Sequence, residues 1–206
     1  MATRAVDTPH GPARVHLRPA GDPTAALVLG HGAGGGVESR DLVAAADAAS
    51  HEGISVALVE QPYRVAGRRS PAPARQLDAA WIATIESLRE GELKGLPLVV
   101  GGRSLGARVA CRTVETTEAV AVLCIAFPLE PPRRSGSKPA PSRLPELEAV
   151  GVPILIVQGD RDPFGMPPPG RRRQVVQVSG THSFRGDPAP IADAVGSWLR
   201  EVVPGR

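Results

Sequence analysis

Residues 99–108 read Val-Val-Gly-Gly-Arg-Ser-Leu-Gly-Ala-Arg, so one serine stands between glycines where an apolar run ends. The run before it, residues 96–100, predicts a buried strand, and the residues after Ser104 predict a helix. A serine on a tight strand-to-helix turn needs an unusual backbone conformation, and Gly102 and Gly106 leave room for the adjoining strand and helix. The stretch therefore predicts a hydroxyl group exposed above a sheet.

The start of this helix supplies a second feature of the turn. The amide of Leu105 and the positive end of the helix dipole would face an oxyanion that forms beside Ser104. An ordinary glycine-rich turn with an unreactive serine has the same local pattern, so the motif alone leaves both interpretations open.

Composition bounds the class of protein. The chain has 206 residues, 42% of them hydrophobic and 22% charged, and a formal net charge of +3. This length predicts one domain, residues 1–206, and no apolar stretch is long enough to span a bilayer. Three Phe, two Trp and one Tyr are too few for base stacking, which counts against nucleic-acid binding as the main function.

The N-terminus does not resemble a secretory signal, so we expect a cytoplasmic protein without a membrane partner.

Two cysteines, Cys111 and Cys124, fall in a predicted helix and in an apolar run. We expect both to be small buried hydrophobic residues rather than a disulfide or metal ligands. Nothing in the sequence points to a metal or to a cofactor.

Apolar runs and helical patterns alternate along the chain. The predicted strands cover residues 13–17, 25–29, 54–59, 96–100, 120–126, 152–157 and 175–178. The predicted helices cover residues 37–52, 71–90 and 104–115, and a closing helix contains Ile191, Val195, Trp198, Leu199 and Val202. This order predicts an α/β fold with a mostly parallel central sheet flanked by helices on both faces.

Ligands bind beyond the carboxyl ends of the strands in such sheets, so the residues after each strand are the candidates for a site. A nucleophilic serine needs a base, and that base needs an anion to orient it. Of the five histidines, His182 follows the last strand and precedes the closing helix, where it can reach Ser104. Two carboxylates follow residues 152–157, and we choose Asp162, which lies farther along the loop, while Asp160 caps or braces the turn.

The glycine-rich loop at residues 31–36, His-Gly-Ala-Gly-Gly-Gly, follows another strand. Its backbone amides, that of Ala33 first, could face the same oxyanion as Leu105. The loop lacks the spacing and the lysine of a phosphate-binding loop, and it has no dinucleotide-binding pattern. The segment 127–145, rich in Pro, Arg and Ser, is predicted to be a loop over the site.

This ordered set resembles the α/β-hydrolase superfamily, in particular its small, lidless, dienelactone-hydrolase-like members, over residues 13–203. The resemblance implies that Ser104 is the nucleophile, His182 the base and Asp162 the acid, with an oxyanion hole near Ala33 and Leu105. Two features depart from it: residues 166–170 stand where related enzymes usually have a helix, and dienelactone hydrolases proper use a cysteine nucleophile.

The implied activity is hydrolysis of a small-molecule ester or thioester through an acyl-enzyme, with no cofactor. Four residues beside the predicted site are candidates for contact with substrate: His31, Tyr63, Arg64 and Arg103. The arginines are compatible with an anionic substrate, although solvated side chains or pairing with internal carboxylates is the simpler interpretation. A protein of this fold that binds a partner without catalysis is the alternative function.

Overall fold

The computed structural model describes residues 2–131 and 140–203, which contain one eight-stranded sheet. Its strands are β1 Ala2–Val6, β2 Ala13–Arg18, β3 Ala26–Gly30, β4 Ser55–Glu60, β5 Leu98–Arg103, β6 Ala121–Ile125, β7 Ile154–Gly159 and β8 Arg173–Val178. Their order across the sheet is β1-β2-β4-β3-β5-β6-β7-β8. The strands from β3 to β8 are parallel to one another, whereas β2 is antiparallel to both of its neighbours, β1 and β4. The predicted α/β class and mostly parallel sheet are confirmed.

Helices cover both faces of the sheet. Their bounds are α1 Arg40–His51, α2 Pro62–Val65, α3 Ala74–Glu90, α4 Leu105–Thr113, α5 Leu144–Glu148 and α6 Ala189–Val202. None of the helices in the described parts of the chain is long and apolar enough to cross a membrane.

Alternate side chains of the central strands enter two separate cores. In β3, Ala26 and Val28 pack into the core that contains Trp81 of α3, whereas Leu27 and Leu29 pack into the core of α1 and α6. Because successive side chains of a strand point to opposite faces, a strand covered by helices on both sides must be apolar at every position. This explains the continuous apolar runs in the sequence.

Three elements differ from the sequence prediction. Strand β1 was not predicted because its residues, mostly exposed, carry no apolar pattern. The helices α2 and α5 have only four and five residues, which is too short for a helical period to be visible. Leu144 and Pro145 therefore belong to a helix and not to the predicted loop at 127–145, and residues 132–139 of that segment lie outside the described residues.

Backbone contacts between β3 and the turn after β5 fix the position of α4. A methyl group on Gly106 would lie 2.3 Å from the carbonyl oxygen of Gly30, and one on Gly102 would lie 2.3 Å from the same oxygen. Both distances are far inside van der Waals contact, so only glycine allows the helix to begin this close to the sheet.

We predict that Gly106→Ala lowers the free energy of unfolding by about 3 kcal/mol or more, because two backbone segments would have to separate. Gly151→Ala is the matched control, since no heavy atom lies within 4 Å of the added methyl group. Urea unfolding monitored by circular dichroism compares the two, and equal midpoints would contradict the close packing.

Candidate active site

Ser104 lies between β5 and α4 with φ 51° and ψ −101°. Positive φ is strained for a residue with a side chain, and such strain costs about 1–3 kcal/mol. The Ser104 N–H donates to the carbonyl oxygen of Ile125 at 2.9 Å, and the glycine contacts hold the turn from the other side. This local geometry is that of the sharp strand-to-helix turn that the glycine pattern predicted.

The structure brings Ser104, His182 and Asp162 together in one hydrogen-bonded chain. His182 Nε2 lies 2.9 Å from Ser104 Oγ, and His182 Nδ1 lies 2.8 Å from Asp162 Oδ2. In this arrangement the serine O–H donates to Nε2 and Nδ1–H donates to the carboxylate. The Asp162 side chain is fully buried, whereas the His182 side chain keeps 16% of its surface exposed. The three side chains can therefore pass a proton from the serine to the imidazole.

Buried groups orient the Asp162 carboxylate. Oδ1 accepts from the Phe164 N–H at 2.9 Å, and Oδ2 accepts from Gln158 Nε2, also at 2.9 Å. The same Gln158 nitrogen donates to the carbonyl oxygens of Phe127 and Gly165. Gln158 was not predicted to be a functional residue, although a glutamine at the end of the apolar run of β7, four residues before Asp162, is a visible departure from that run.

Asp160 has a different role. Its Oδ1 accepts from the Gly180 N–H at 2.8 Å and so joins the turn after β7 to the turn that leads to His182. Of the two carboxylates that sequence left for comparison, Asp162 contacts the histidine and Asp160 braces the loop. Residues 166–170 contain no helix, yet the contact between Asp162 and His182 is made.

Arg103 ties three parts of the site together. Its Nε donates to Asp41 Oδ2 at 2.7 Å and its Nη2 donates to the main-chain oxygen of His182 at 2.7 Å. Asp41, in the first turn of α1, is only 3% exposed. A methyl group on Gly32 would lie 2.6 Å from Arg103 Nη1, so the glycine-rich loop packs directly on the guanidinium. Asp41 and the His182 carbonyl thus engage Nε and Nη2 of Arg103, which is the internal pairing that the sequence left open, and its contact with substrate stays a prediction.

The glycine-rich loop reaches the same end of the sheet as Ser104, because Gly30 and Gly102 are paired in neighbouring strands. Ala33 and Leu105 are half-buried, and within the described residues neither amide N–H donates a hydrogen bond. Amides without an internal acceptor at a helix start and in an adjacent loop are suited to bind an oxyanion.

His31 and Tyr63 fix the backbone of this loop through hydrogen bonds, and their contact with substrate stays a prediction. His31 is 1% exposed, its Nδ1 donates to the oxygen of Gly32 at 2.8 Å, and its Nε2 accepts from the Gln61 N–H at 3.1 Å. Burial lowers the pKa of His31, which keeps the imidazole neutral.

Tyr63 donates its hydroxyl to the oxygen of Ala33 at 3.0 Å. Burial raises the pKa of Tyr63 to about 12, so the hydroxyl stays protonated and remains a donor. Both aromatic residues therefore fix backbone carbonyl groups of the loop.

Arg64 follows Tyr63 in α2 and is half-buried, and it makes no ion pair within the described residues. Of the four candidates for substrate contact, Arg64 is the one whose charge has no ion-pair partner there.

In the same described residues, no three His, Cys, Asp or Glu side chains meet as potential metal ligands. Cys111 and Cys124 are buried with their sulfur atoms 3.5 Å apart.

Solved structures of similar fold cover nearly the whole chain. A lidless α/β serine hydrolase from Xanthomonas campestris is 20% identical, with a TM-score of 0.78, over 100% of this chain and 96% of its own. Est1E from Butyrivibrio proteoclasticus is 14% identical, with a TM-score of 0.79, over 98% of this chain and 99% of its own. A dienelactone hydrolase from Anabaena variabilis is 15% identical, with a TM-score of 0.77, over 98% of each chain.

No curated protein matches the chain significantly in sequence. A family model described as an alpha/beta hydrolase domain matches residues 23–185, which include the glycine-rich loop, Ser104, Asp162 and His182. The fold, the match over most of the chain and the likeness to lidless serine hydrolases agree, and the protein is a member of the α/β-hydrolase family.

Proposed function

We propose that the protein is a serine hydrolase that cleaves an ester or thioester of a small molecule through an acyl-enzyme intermediate. The observation that carries this proposal is the chain of hydrogen bonds from Ser104 through His182 to Asp162. Membership of a hydrolase family supports the reaction class.

In the first half of the proposed reaction, Ser104 Oγ attacks the substrate carbonyl carbon while His182 Nε2 takes the hydroxyl proton. The buried Asp162 carboxylate stabilises the imidazolium that forms. The carbonyl oxygen becomes an oxyanion, which the Ala33 and Leu105 amides bind; one such donor is worth about 3 kcal/mol in the transition state. His182 then gives its proton to the leaving alcohol or thiol, and Ser104 holds the acyl group.

In the second half, His182 Nε2 removes a proton from water, and the hydroxide oxygen attacks the acyl carbon. The tetrahedral intermediate collapses with return of the proton to Ser104 Oγ, and the carboxylic acid leaves. The reaction consumes one water and needs no other reactant.

The solved structures of similar fold indicate a substrate class only broadly. Est1E of Butyrivibrio proteoclasticus has been solved with ferulic acid bound, and a neighbour from Rhodothermus marinus is an esterase domain. These similarities, at 15% identity, support an ester as the first substrate to test. The cytoplasmic location predicted from the sequence stays a prediction.

We predict that a fluorophosphonate probe labels the protein at Ser104 and that Ser104→Ala lowers ester hydrolysis by about 10⁴-fold or more. His182→Ala should slow labelling by a similar factor, because the serine then lacks its base. Ser183→Ala, a neighbouring exposed serine, is the control and should react as the parent does. Mass spectrometry locates the adduct, and absence of labelling in folded protein would favour the alternative function of a non-catalytic binding protein.

We predict that Arg103→Lys slows labelling of Ser104 about tenfold, because a lysine cannot hold Asp41 and the His182 carbonyl at once. Arg112→Lys is the matched control, since Arg112 makes two hydrogen bonds to Asp78 away from the serine. Rates are compared at a temperature where both variants are folded. Equal labelling rates in the two variants would show that Arg103 contributes to stability alone.

We predict that Arg64 favours substrates that carry a negative charge. The parent protein should then hydrolyse a carboxylate-bearing ester faster than its neutral analogue, through a lower KM, and Arg64→Gln should remove the difference. Kinetics with the two esters measure this, and a preference that survives in Arg64→Gln would exclude the residue as its origin.

A further inference from the structure

A cavity lined in part by Tyr63 lies at the same end of the sheet as Ser104. Its volume is about 230 Å³. The cavity is formed by the turn before β2, the residues after β4 and the first half of α3. Because β2 runs antiparallel to β4, the start of β2 and the end of β4 meet at this edge.

The walls of this cavity are apolar. Seven of its lining residues are aliphatic or proline: Pro12, Pro62, Val65, Ala66, Ala72, Leu77 and Ala80. Tyr63 lines it as well and is only 4% exposed. A concave apolar site of this kind, with a few polar groups at its rim, is the usual form of a small-molecule site.

The rim carries positive charge. Arg68 lines the cavity, and no Asp or Glu does. The surrounding segment, residues 61–77, contains four arginines and no acidic residue. Within the described residues none of these arginines, Arg64, Arg68, Arg69 and Arg75, makes an ion pair. The positive potential at this rim is therefore not neutralised by neighbouring carboxylates.

We propose that the cavity binds a small organic carboxylate with an apolar body, such as an aryl-alkanoate. The apolar part fills the space between α2 and α3, and the carboxylate accepts hydrogen bonds from Arg68 at the rim. A guanidinium matches a carboxylate with two parallel hydrogen bonds, which gives the site its preference for this group. The cavity does not depend on the proposed hydrolase activity, because none of the three residues of the serine site lines it.

The cavity also touches the loop that faces the serine. Tyr63 forms part of its wall, and the Tyr63 hydroxyl donates to the oxygen of Ala33. The carboxylate has two possible sources: part of the substrate itself, or a separate small molecule. Both are bound by the same chemistry, and competition against labelling of the serine distinguishes them.

The test uses 4-phenylbutyrate as the probe and Ser104→Ala as the protein, so the result does not depend on turnover. Tyr63 is the chain's single tyrosine, and ring-labelled tyrosine therefore gives NMR signals from the cavity wall alone. We expect saturable shifts of these signals with 4-phenylbutyrate and far weaker binding of the neutral 4-phenylbutanol. Arg68→Gln should weaken binding of 4-phenylbutyrate about tenfold.

Ala72→Trp, in the coil before α3, should fill the cavity and abolish the shifts, and Arg171→Gln, an exposed arginine elsewhere, should leave them unchanged. Shifts that persist in Ala72→Trp, or equal affinity for the acid and the alcohol, would overturn the proposal. So would the absence of saturable shifts with 4-phenylbutyrate in Ser104→Ala.

Competition against fluorophosphonate labelling of the parent protein then identifies the source of the carboxylate. If 4-phenylbutyrate slows labelling by competing with the fluorophosphonate, the carboxylate is part of the substrate. If the labelling rate is unchanged, or changes without competition, the carboxylate belongs to a separate ligand. Both results support the site.

Discussion

Contact between the backbones of β3 and α4 is the constraint on which the rest of the site depends. With no side chain at Gly30, Gly102 or Gly106, the helix begins against the sheet, and Ser104 must turn out at φ 51°. That backbone conformation is strained, so the packing of the surrounding strands must stabilise it. The same geometry leaves the Leu105 amide at the helix start, beside the serine hydroxyl. One steric condition thus places both the serine hydroxyl and the amide to which the proposed mechanism assigns the nucleophile and an oxyanion donor.

Around this turn, polar side chains act mainly on the backbone. Arg103 holds the carbonyl of His182, Tyr63 holds that of Ala33, and His31 holds that of Gly32. Each of these donors is mostly buried, and all three were candidates for substrate contact in the sequence. Fixing loops in advance is what electrostatic stabilisation requires, since donors that must reorganise during the reaction lose much of their effect. Gln158 extends this arrangement to Asp162, because its amide nitrogen donates to the Asp162 carboxylate.

The sequence predicts the parts of the fold that rest on periodicity and steric necessity. Seven strands, the long helices and the turn at Ser104 were visible because buried parallel strands are continuously apolar and because a glycine-flanked serine has few structural explanations. Strand β1 and the short helices α2 and α5 carry no such pattern. The contacts of Arg103 with Asp41 and of Gln158 with Asp162 could not be predicted from the sequence either. An arginine beside a serine has the same sequence signature whether it binds substrate or a carboxylate sixty residues earlier in the chain, and only the fold decides between them.

Tyr63 connects the two sites at this edge of the sheet, and its chemistry limits what the connection can do. Because its pKa is about 12, the hydroxyl is a donor at any physiological pH, so protonation of Tyr63 does not regulate the loop. A ligand in the cavity can change the position of Ala33 only if it binds one arrangement of Tyr63 more tightly than another. The size of any effect on the serine site is bounded by that difference in affinity. A separate ligand that does not overlap the substrate and leaves the tyrosine in place would therefore be silent in an assay of hydrolysis, and binding itself is the property that defines the cavity.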